Sequence, residues 1–277
     1  MKLACELPDN VGRSLSTWTC AELARTLRGS GLVETISPQS VQRILASHRL
    51  RPWRVHHWLS ATVPRDEVFR AQVLALCDLY TRPLGAHERV LCLDEKTSLQ
   101  LRTRTSPTRP ARPGGQPVQL EHEYQRKGAL NLIAAFDTRR GDVFGLCRRR
   151  KRQLELIELL DTIDRAMPSS FTRIHRVCDN VRMHKGQLVC AWLALHPRVR
   201  FHFTPVHCSW MNQIEQWFSI LQRKRLTVPN FDDLQDLEQK ILTFIAEWNQ
   251  EAAPFNWTQK SFEKTLAKVD AALKAAA

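Results

Sequence analysis

No apolar run in the chain is long enough to cross a bilayer. The longest, Leu188–Leu195, falls far short of the roughly 20 residues that a spanning helix needs. The opening MKLACELPDN meets Glu6 and Asp9 before an apolar signal core can form, so no secretory signal is expected. Cysteines stand at positions 5, 20, 77, 92, 147, 178, 190 and 208, but never in a C-x2-C or C-x4-C pair, which excludes a zinc ribbon. Without a sign of export, free thiols in a reducing cytoplasm are expected. No internal repeat is apparent. Acid is also in short supply: 28 Asp and Glu stand against 41 Lys and Arg, a formal net charge of +13. That surplus calls for a polyanionic partner and not a membrane. A length of 277 residues with 43% hydrophobic residues suits one or two globular domains with real cores.

Residues 1–50 read as a small all-α module of helix-turn-helix type. Thr19-Cys-Ala-Glu22 fits a capping box, and Leu23 and Leu27 share one helical face. Arg28-Gly-Ser-Gly31 breaks that helix. Ser37-Pro38 opens a second, with serine as N-cap and proline at the first helical position. Its apolar stripe is expected at Val41, Ile44 and Leu45. Gln39, Ser40, Gln42 and Arg43 face outward, where they could reach base edges and phosphates from the major groove. Residues 51–65, RPWRVHHWLSATVPR, read as a basic linker. Arg51 and Arg54 are candidate phosphate contacts, and Trp53 and Trp58 are expected to pack on the body.

From residue 66 to 277 the pattern is α/β. A helix over Asp66–Tyr80 is expected to bury Val68, Phe69, Val73 and Leu76. A strand over Arg89–Leu93 continues toward Leu101. Residues 102–127, with six Lys or Arg and four prolines, form an irregular basic insertion. Gly128–Phe136 and Asp142–Cys147 pair through a turn. Further elements are a helix over Gln153–Met167, a strand over Ile174–Cys178, a helix over Met183–His196 and a strand over Val199–Phe203. Two more helices are expected, a long one from Ser209 to about Leu226 and one over Asp232–Asn249. In the last, Leu234, Leu237, Ile241, Phe244, Ile245 and Trp248 form a core-facing stripe.

Asp94 and Asp179 each end an apolar strand, and Glu215 lies in the helix opened by Ser209. Neighbouring strands are about 4.8 Å apart, so acids at adjacent strand ends can share a cation. Three hard oxygen donors suit Mg²⁺, with Mn²⁺ able to substitute. Two such ions about 3.5–4 Å apart would clamp an in-line phosphoryl displacement. Glu95 should face the opposite side of the strand and stays outside the triad. Asp137 and Asp142 flank a turn and read as surface residues. Spacing alone does not single out this triad from 28 acidic residues, and an isolated His184 or His207 is more often solvated or packed than catalytic.

The motifs are more specific. Leu91-Cys-Leu-Asp-Glu-Lys-Thr-Ser98, Cys178-Asp-Asn-Val-Arg-Met-His-Lys185 and Phe203-Thr-Pro-Val-His-Cys-Ser-Trp-Met-Asn-Gln-Ile-Glu-Gln-Trp-Phe-Ser219 occur in that order. Together they resemble the DDE transposases of the insertion sequence 630 family, a bacterial branch of the Tc/mariner superfamily. The resemblance covers about residues 15–257. It implies a ribonuclease-H-like catalytic domain, a mixed sheet flanked by helices, behind helix-turn-helix DNA binding. It makes Asp94, Asp179 and Glu215 the catalytic, metal-binding residues. It puts Asn180 and His184 beside them as supporting or DNA-contacting groups. It implies two Mg²⁺ ions per site, and terminal inverted repeats and target DNA as substrates. The insertion at 102–127 becomes a loop touching DNA or a partner subunit, hence a homodimer on DNA, in the cytoplasm at the nucleoid. Relatives of this kind usually carry a further N-terminal helix-turn-helix, whereas one such unit is evident here.

The expected activity is cut-and-paste transposition. The alternatives are a nuclease on the same core that performs no strand transfer, and a non-catalytic DNA-binding remnant or repressor.

Overall fold

A computed structural model describes residues 2–55 and 66–276. The chain divides into two units, Met1–Ser60 and Ala61–Ala277. Of the expected linker 51–65, residues 56–65, Trp58 among them, lie outside the described residues.

The first unit packs α1 (Lys2–Cys5), α2 (Cys20–Gly29) and α3 (Pro38–Ser47) around Trp18, Leu23, Ala24, Val41 and Leu45. Thr19 caps α2 by accepting the Glu22 N–H at 3.1 Å. The Glu22 carboxylate does not complete a capping box; it accepts from Arg13 at 3.0 Å and Arg25 at 2.7 Å. Ser37 caps α3 through the Ser40 N–H at 3.1 Å, with Pro38 behind it. Ile44 departs from expectation: it is 45% exposed. At 3.6 residues per turn it lies about 80° round the helix from the midpoint of Val41 and Leu45, outside the buried stripe.

The second unit is built on a five-stranded sheet in the order β3-β2-β1-β4-β5. Its strands are β1 (Glu88–Thr103), β2 (Gln125–Asp137), β3 (Val143–Arg148), β4 (Arg173–Cys178) and β5 (Val199–Phe203). The first three pair antiparallel; β4 and β5 run parallel to β1. Strand periodicity divides β1 between two cores. Val90 and Cys92 join Leu132, Ala134 and Phe136 beneath α4 (Glu67–Thr81), α7 (Ile214–Leu221), α8 (Leu234–Gln250) and α9 (Gln259–Ala276). Leu91 and Leu93 join Ile133 and Ala135 beneath α5 (Gln153–Ala166) and α6 (Gln187–Leu195). This helix-flanked mixed sheet is the ribonuclease-H-like arrangement.

Several local expectations change. Val68 is 65% exposed because it lies about 100° from the row formed by Phe69, Val73, Leu76 and Tyr80. Asp137 is buried, not a surface residue: its carboxylate accepts the backbone N–H groups of Arg139 and Arg140 at 2.8 and 3.0 Å and so closes the β2–β3 turn. The basic insertion is shorter than 102–127, since β1 and β2 run on into it. Between them, residues 104–124 form a loosely paired arm with bridges Arg109–Gln119 and Arg112–Gln116.

Two helices are also broken where single ones were expected. Residues 182–185 make a 3-10 turn before α6 begins at Gln187. The region from Ser209 opens as a 3-10 turn, Ser209–Met211, and α7 starts only at Ile214. A π-helical turn, Gln222–Leu226, follows. Both breaks serve the site.

Candidate active site

The parallel register of β1 and β4 brings two acids to one end of the sheet. Cys92 pairs with Val177, so Asp94 and Asp179 both stand two residues beyond that rung. Glu215 arrives from the first turn of α7, on the same side of the sheet as Asp94. Asp94 is buried, Asp179 half-buried and Glu215 exposed.

Asp94 is fixed from two directions. Its Oδ1 accepts the Glu95 backbone N–H at 2.7 Å. Its Oδ2 accepts from Asn212 Nδ2 at 3.3 Å, and the same Nδ2 donates to the Leu93 carbonyl at 2.9 Å. Asn212 therefore ties the approach to α7 onto β1, which is why helix does not extend back to Ser209. Tyr80 in α4 reinforces the junction: its hydroxyl donates to the Met211 carbonyl at 2.9 Å. Sequence reasoning passed over Asn212, although it lies inside the third motif, because a neutral amide carries no ligand or proton-transfer signature. Burial pushes the Asp94 carboxyl up to about 7, helped by repulsion from Glu95, Asp179 and Glu215.

Asp179 is held differently. Its Oδ1 accepts the Val181 backbone N–H at 3.1 Å and lies 3.0 Å from His184 Nδ1. Burial works to raise its pKa, but the hydrogen bond from His184 carries it below the usual carboxylate range. His184 lies in the 3-10 turn, and its Nε2 meets Glu95 Oε1 at 2.8 Å. Burial acts to lower the His184 pKa; hydrogen bonds to Asp179, Cys178 and Glu95 overcome it and carry the imidazole up to about 12. Strand alternation puts Glu95 on the face of β1 opposite Asp94, yet His184 links it to Asp179. Asn180 is exposed, and its Oδ1 accepts from Lys185 Nζ at 2.6 Å.

Asp94, Asp179 and Glu215 thus share one electrostatic locality. Among the described residues, no three histidine, cysteine, aspartate or glutamate side chains lie close enough to enclose a metal ion. The carboxylates converge as a field, not as a closed ligand cage. Their donor chemistry, three carboxylates whose charges add to the effect of burial at Asp94, fits a hard divalent cation. Next to them, a cavity of about 500 Å³ is lined by Lys96, Gln100, Arg102, Arg104, Gln222 and Phe231, among others. Arg102 and Arg104 stack over Tyr124 at 4.7 and 5.6 Å.

In the first unit, Gln39, Gln42 and Arg43 are exposed on α3, and Ser40 is half-buried. A concavity of about 840 Å³ is lined by Gln42, Ala46, Arg49, Leu50, Arg51, Trp53 and Arg54. Among the described residues, no helix is long and apolar enough to cross a membrane.

The second unit can be set against known proteins on this geometry. Residues 89–238 match the family model described as DDE superfamily endonuclease. The chain resembles the solved Mos1 mariner paired-end complex with Mn at 16% identity and a TM-score of 0.54, covering 98% of this chain and 78% of that one. It resembles the Mos1 strand transfer complex at 15% identity and a TM-score of 0.51, covering 97% and 75%. Comparison with curated protein sequences finds no match. The solved structures establish a shared fold. The family match spans more than half of the chain and all three carboxylates, so this chain belongs to the DDE superfamily endonuclease family.

Proposed function

We propose that the protein is a DNA transposase of the insertion sequence 630 branch of the Tc/mariner superfamily. It cuts at terminal inverted repeats and joins the freed ends to target DNA. The observation that carries this reading is the set of three acids inside the matched family region. Asp94 and Asp179 each stand two residues beyond the last paired rung of β1 and β4, and Glu215 sits on α7, which packs on the face of β1 that carries Cys92. The likeness of nearly the whole chain to transposase–DNA complexes supports transposition over simple nuclease action.

In this reading Asp94, Asp179 and Glu215 are the catalytic residues and would hold two divalent ions, Mg²⁺ or Mn²⁺. Bound there, the ions would offset charge on the attacked phosphate and favour ionisation of the attacking oxygen. The chain supplies the rest. Asn212 orients the Asp94 carboxylate, and His184 orients that of Asp179. Asn180, held by Lys185, borders the DNA path. Lys96, Arg102 and Arg104 line a cationic channel beside the acids. Water opens a phosphodiester at the element's end and releases a 3′ hydroxyl. That hydroxyl displaces a strand of target DNA at the same carboxylates. In the first unit, Gln39, Ser40, Gln42 and Arg43 read terminal-repeat bases from the major groove, while Arg51 and Arg54 follow the backbone. The arm at 104–124 meets a second copy of the chain, and a homodimer pairs two ends.

The test uses a plasmid carrying the flanking terminal repeats, Mg²⁺ and purified protein. Cleavage at the repeats followed by joining of pre-cleaved ends is expected, with both lost and binding retained in Asp94→Asn. Cleavage without joined product would leave a nuclease. A biological effect unchanged in Asp94→Asn would leave a repressor.

A further inference from the structure

Glu95 stands beside the first acid but contributes nothing to the triad face. It points into the opposite layer, where its side chain is 3% exposed, and the His184 ring it meets is fully buried. Burying a carboxylate costs several kcal/mol unless it is paired and hydrogen-bonded. Here the partner is His184 Nε2 at 2.8 Å. The other ring nitrogen lies 3.0 Å from Asp179 Oδ1 and 3.2 Å from the Asp179 carbonyl. The imidazole is therefore gripped at both ends, by β1 through Glu95 and by the residue that follows β4. Without Glu95 the ring would lose its Nε2 partner on β1 and keep only its contacts with Asp179 and Cys178. The Val181 N–H, at 3.1 Å, would still hold the Asp179 carboxylate from the backbone.

We propose that Glu95 is a positioning residue: through His184 it fixes the orientation of the Asp179 carboxylate and so sets the affinity of the site for divalent cations. The inference rests on the reading of Asp179 as a ligand. A chain of this form, carboxylate to histidine to ligand, is a general means of orienting ligand oxygens, and its loss typically costs about 10–100-fold in metal affinity.

The probe is Mn²⁺ alone, its binding to the full chain measured by calorimetry, with folding followed by circular dichroism and thermal unfolding. Glu95→Leu fills the same space without an acceptor. Glu95→Gln keeps an oxygen that can accept the Nε2–H. Expected is a loss of about 10–100-fold in Mn²⁺ affinity for Glu95→Leu in a folded protein, with Glu95→Gln within about threefold of the parent. A merely structural role predicts a different pattern: removing one partner of a buried ion pair leaves His184 uncompensated and lowers stability, while Mn²⁺ affinity would not move. Equal affinity in Glu95→Leu and the parent overturns the proposal, as does a Glu95→Gln protein as weak as Glu95→Leu. Should Glu95→Leu not fold, Glu95→Ala takes its place with the same expected loss. Failure of both to fold overturns the positioning role in favour of a structural one. Absence of any Mn²⁺ binding in the parent that Asp94→Asn removes would instead count against the site itself.

Discussion

Replacing Asp94 by asparagine should stabilise the metal-free protein at alkaline pH. The carboxyl is buried among Glu95, Asp179 and Glu215, and its pKa rises from the ordinary 3.8 to about 7. The folded state then binds a proton more tightly than the unfolded one across that window. The contribution of Asp94 to stability is fully present below about 4 and falls as pH rises toward 7. The difference amounts to about 4 kcal/mol once both states are ionised. Asparagine removes the charge while keeping an oxygen for the Glu95 N–H, whose bond is 2.7 Å. It loses the 3.3 Å bond accepted from Asn212, worth about 1 kcal/mol. The net expectation in EDTA is a gain of about 3 kcal/mol at pH 8 and a small loss near pH 4. Urea denaturation followed by circular dichroism at the two pH values measures both. Adding Mg²⁺ should stabilise the parent by mass action and leave the variant nearly unmoved. A variant equally destabilised at both pH values would refute the idea that uncompensated charge, and not packing, dominates this position.

Four further outcomes follow from other parts of the molecule. Gly141 has φ +83°, and an added Cβ would lie 2.3 Å from the Ala253 backbone. Gly141→Ala should therefore cost roughly 3–5 kcal/mol in a denaturation experiment. Ser37→Ala removes the α3 cap and should cost about 1 kcal/mol of first-unit stability, read from hydrogen exchange of α2 and α3 amides. If α3 reads bases, Gln42→Ala should flatten sequence preference in a binding-site selection. Arg54→Ala should instead weaken binding to all sequences and reduce the slope of log affinity against log salt by about one.

Elements with a strong local signature were legible in the sequence. Ser37-Pro38 opens α3, α4 spans the helix expected over Asp66–Tyr80, and the β2–β3 hairpin follows its turn residues. The strand-end acids were visible because apolar runs stop at Asp94 and Asp179, but alternation, which sets Glu95 opposite Asp94, could not show its link to Asp179 through His184. Side-chain tethers between distant segments were not visible. The break before α7 depends on Asn212 reaching Leu93 and Asp94, 119 and 118 residues earlier in the chain. The 3-10 turn before α6 follows from an aspartate capping the Val181 N–H, beside Gly186, whose missing side chain leaves room for Gln153. Asp137 read as polar and near a turn, hence exposed. Only the folded turn shows its carboxylate satisfied by two backbone N–H groups. Ile44 and Val68 show the remaining gap: an apolar residue one step off a helical stripe cannot be assigned inside or outside without the facing surface.

The division of labour on β1 explains why two adjacent acids can share one strand end. Period-two alternation sends Asp94 toward α7 and Glu95 toward the layer of α5 and α6. Two carboxylates on one face would repel at short range. On opposite faces, each finds a different compensation: Glu95 meets an imidazole, and Asp94 meets an amide that leaves its charge unbalanced. The same strand thus builds rigidity behind the site and unsatisfied charge within it. Exchanging the two, Asp94→Glu with Glu95→Asp, preserves composition and net charge but alters both reaches by one methylene. The exchange lengthens the arm beside Asn212 and shortens the one that meets His184. Divalent affinity should then fall by more than in Asp94→Glu alone. Equal affinity in the single and double variants would mean that the two faces of β1 act independently.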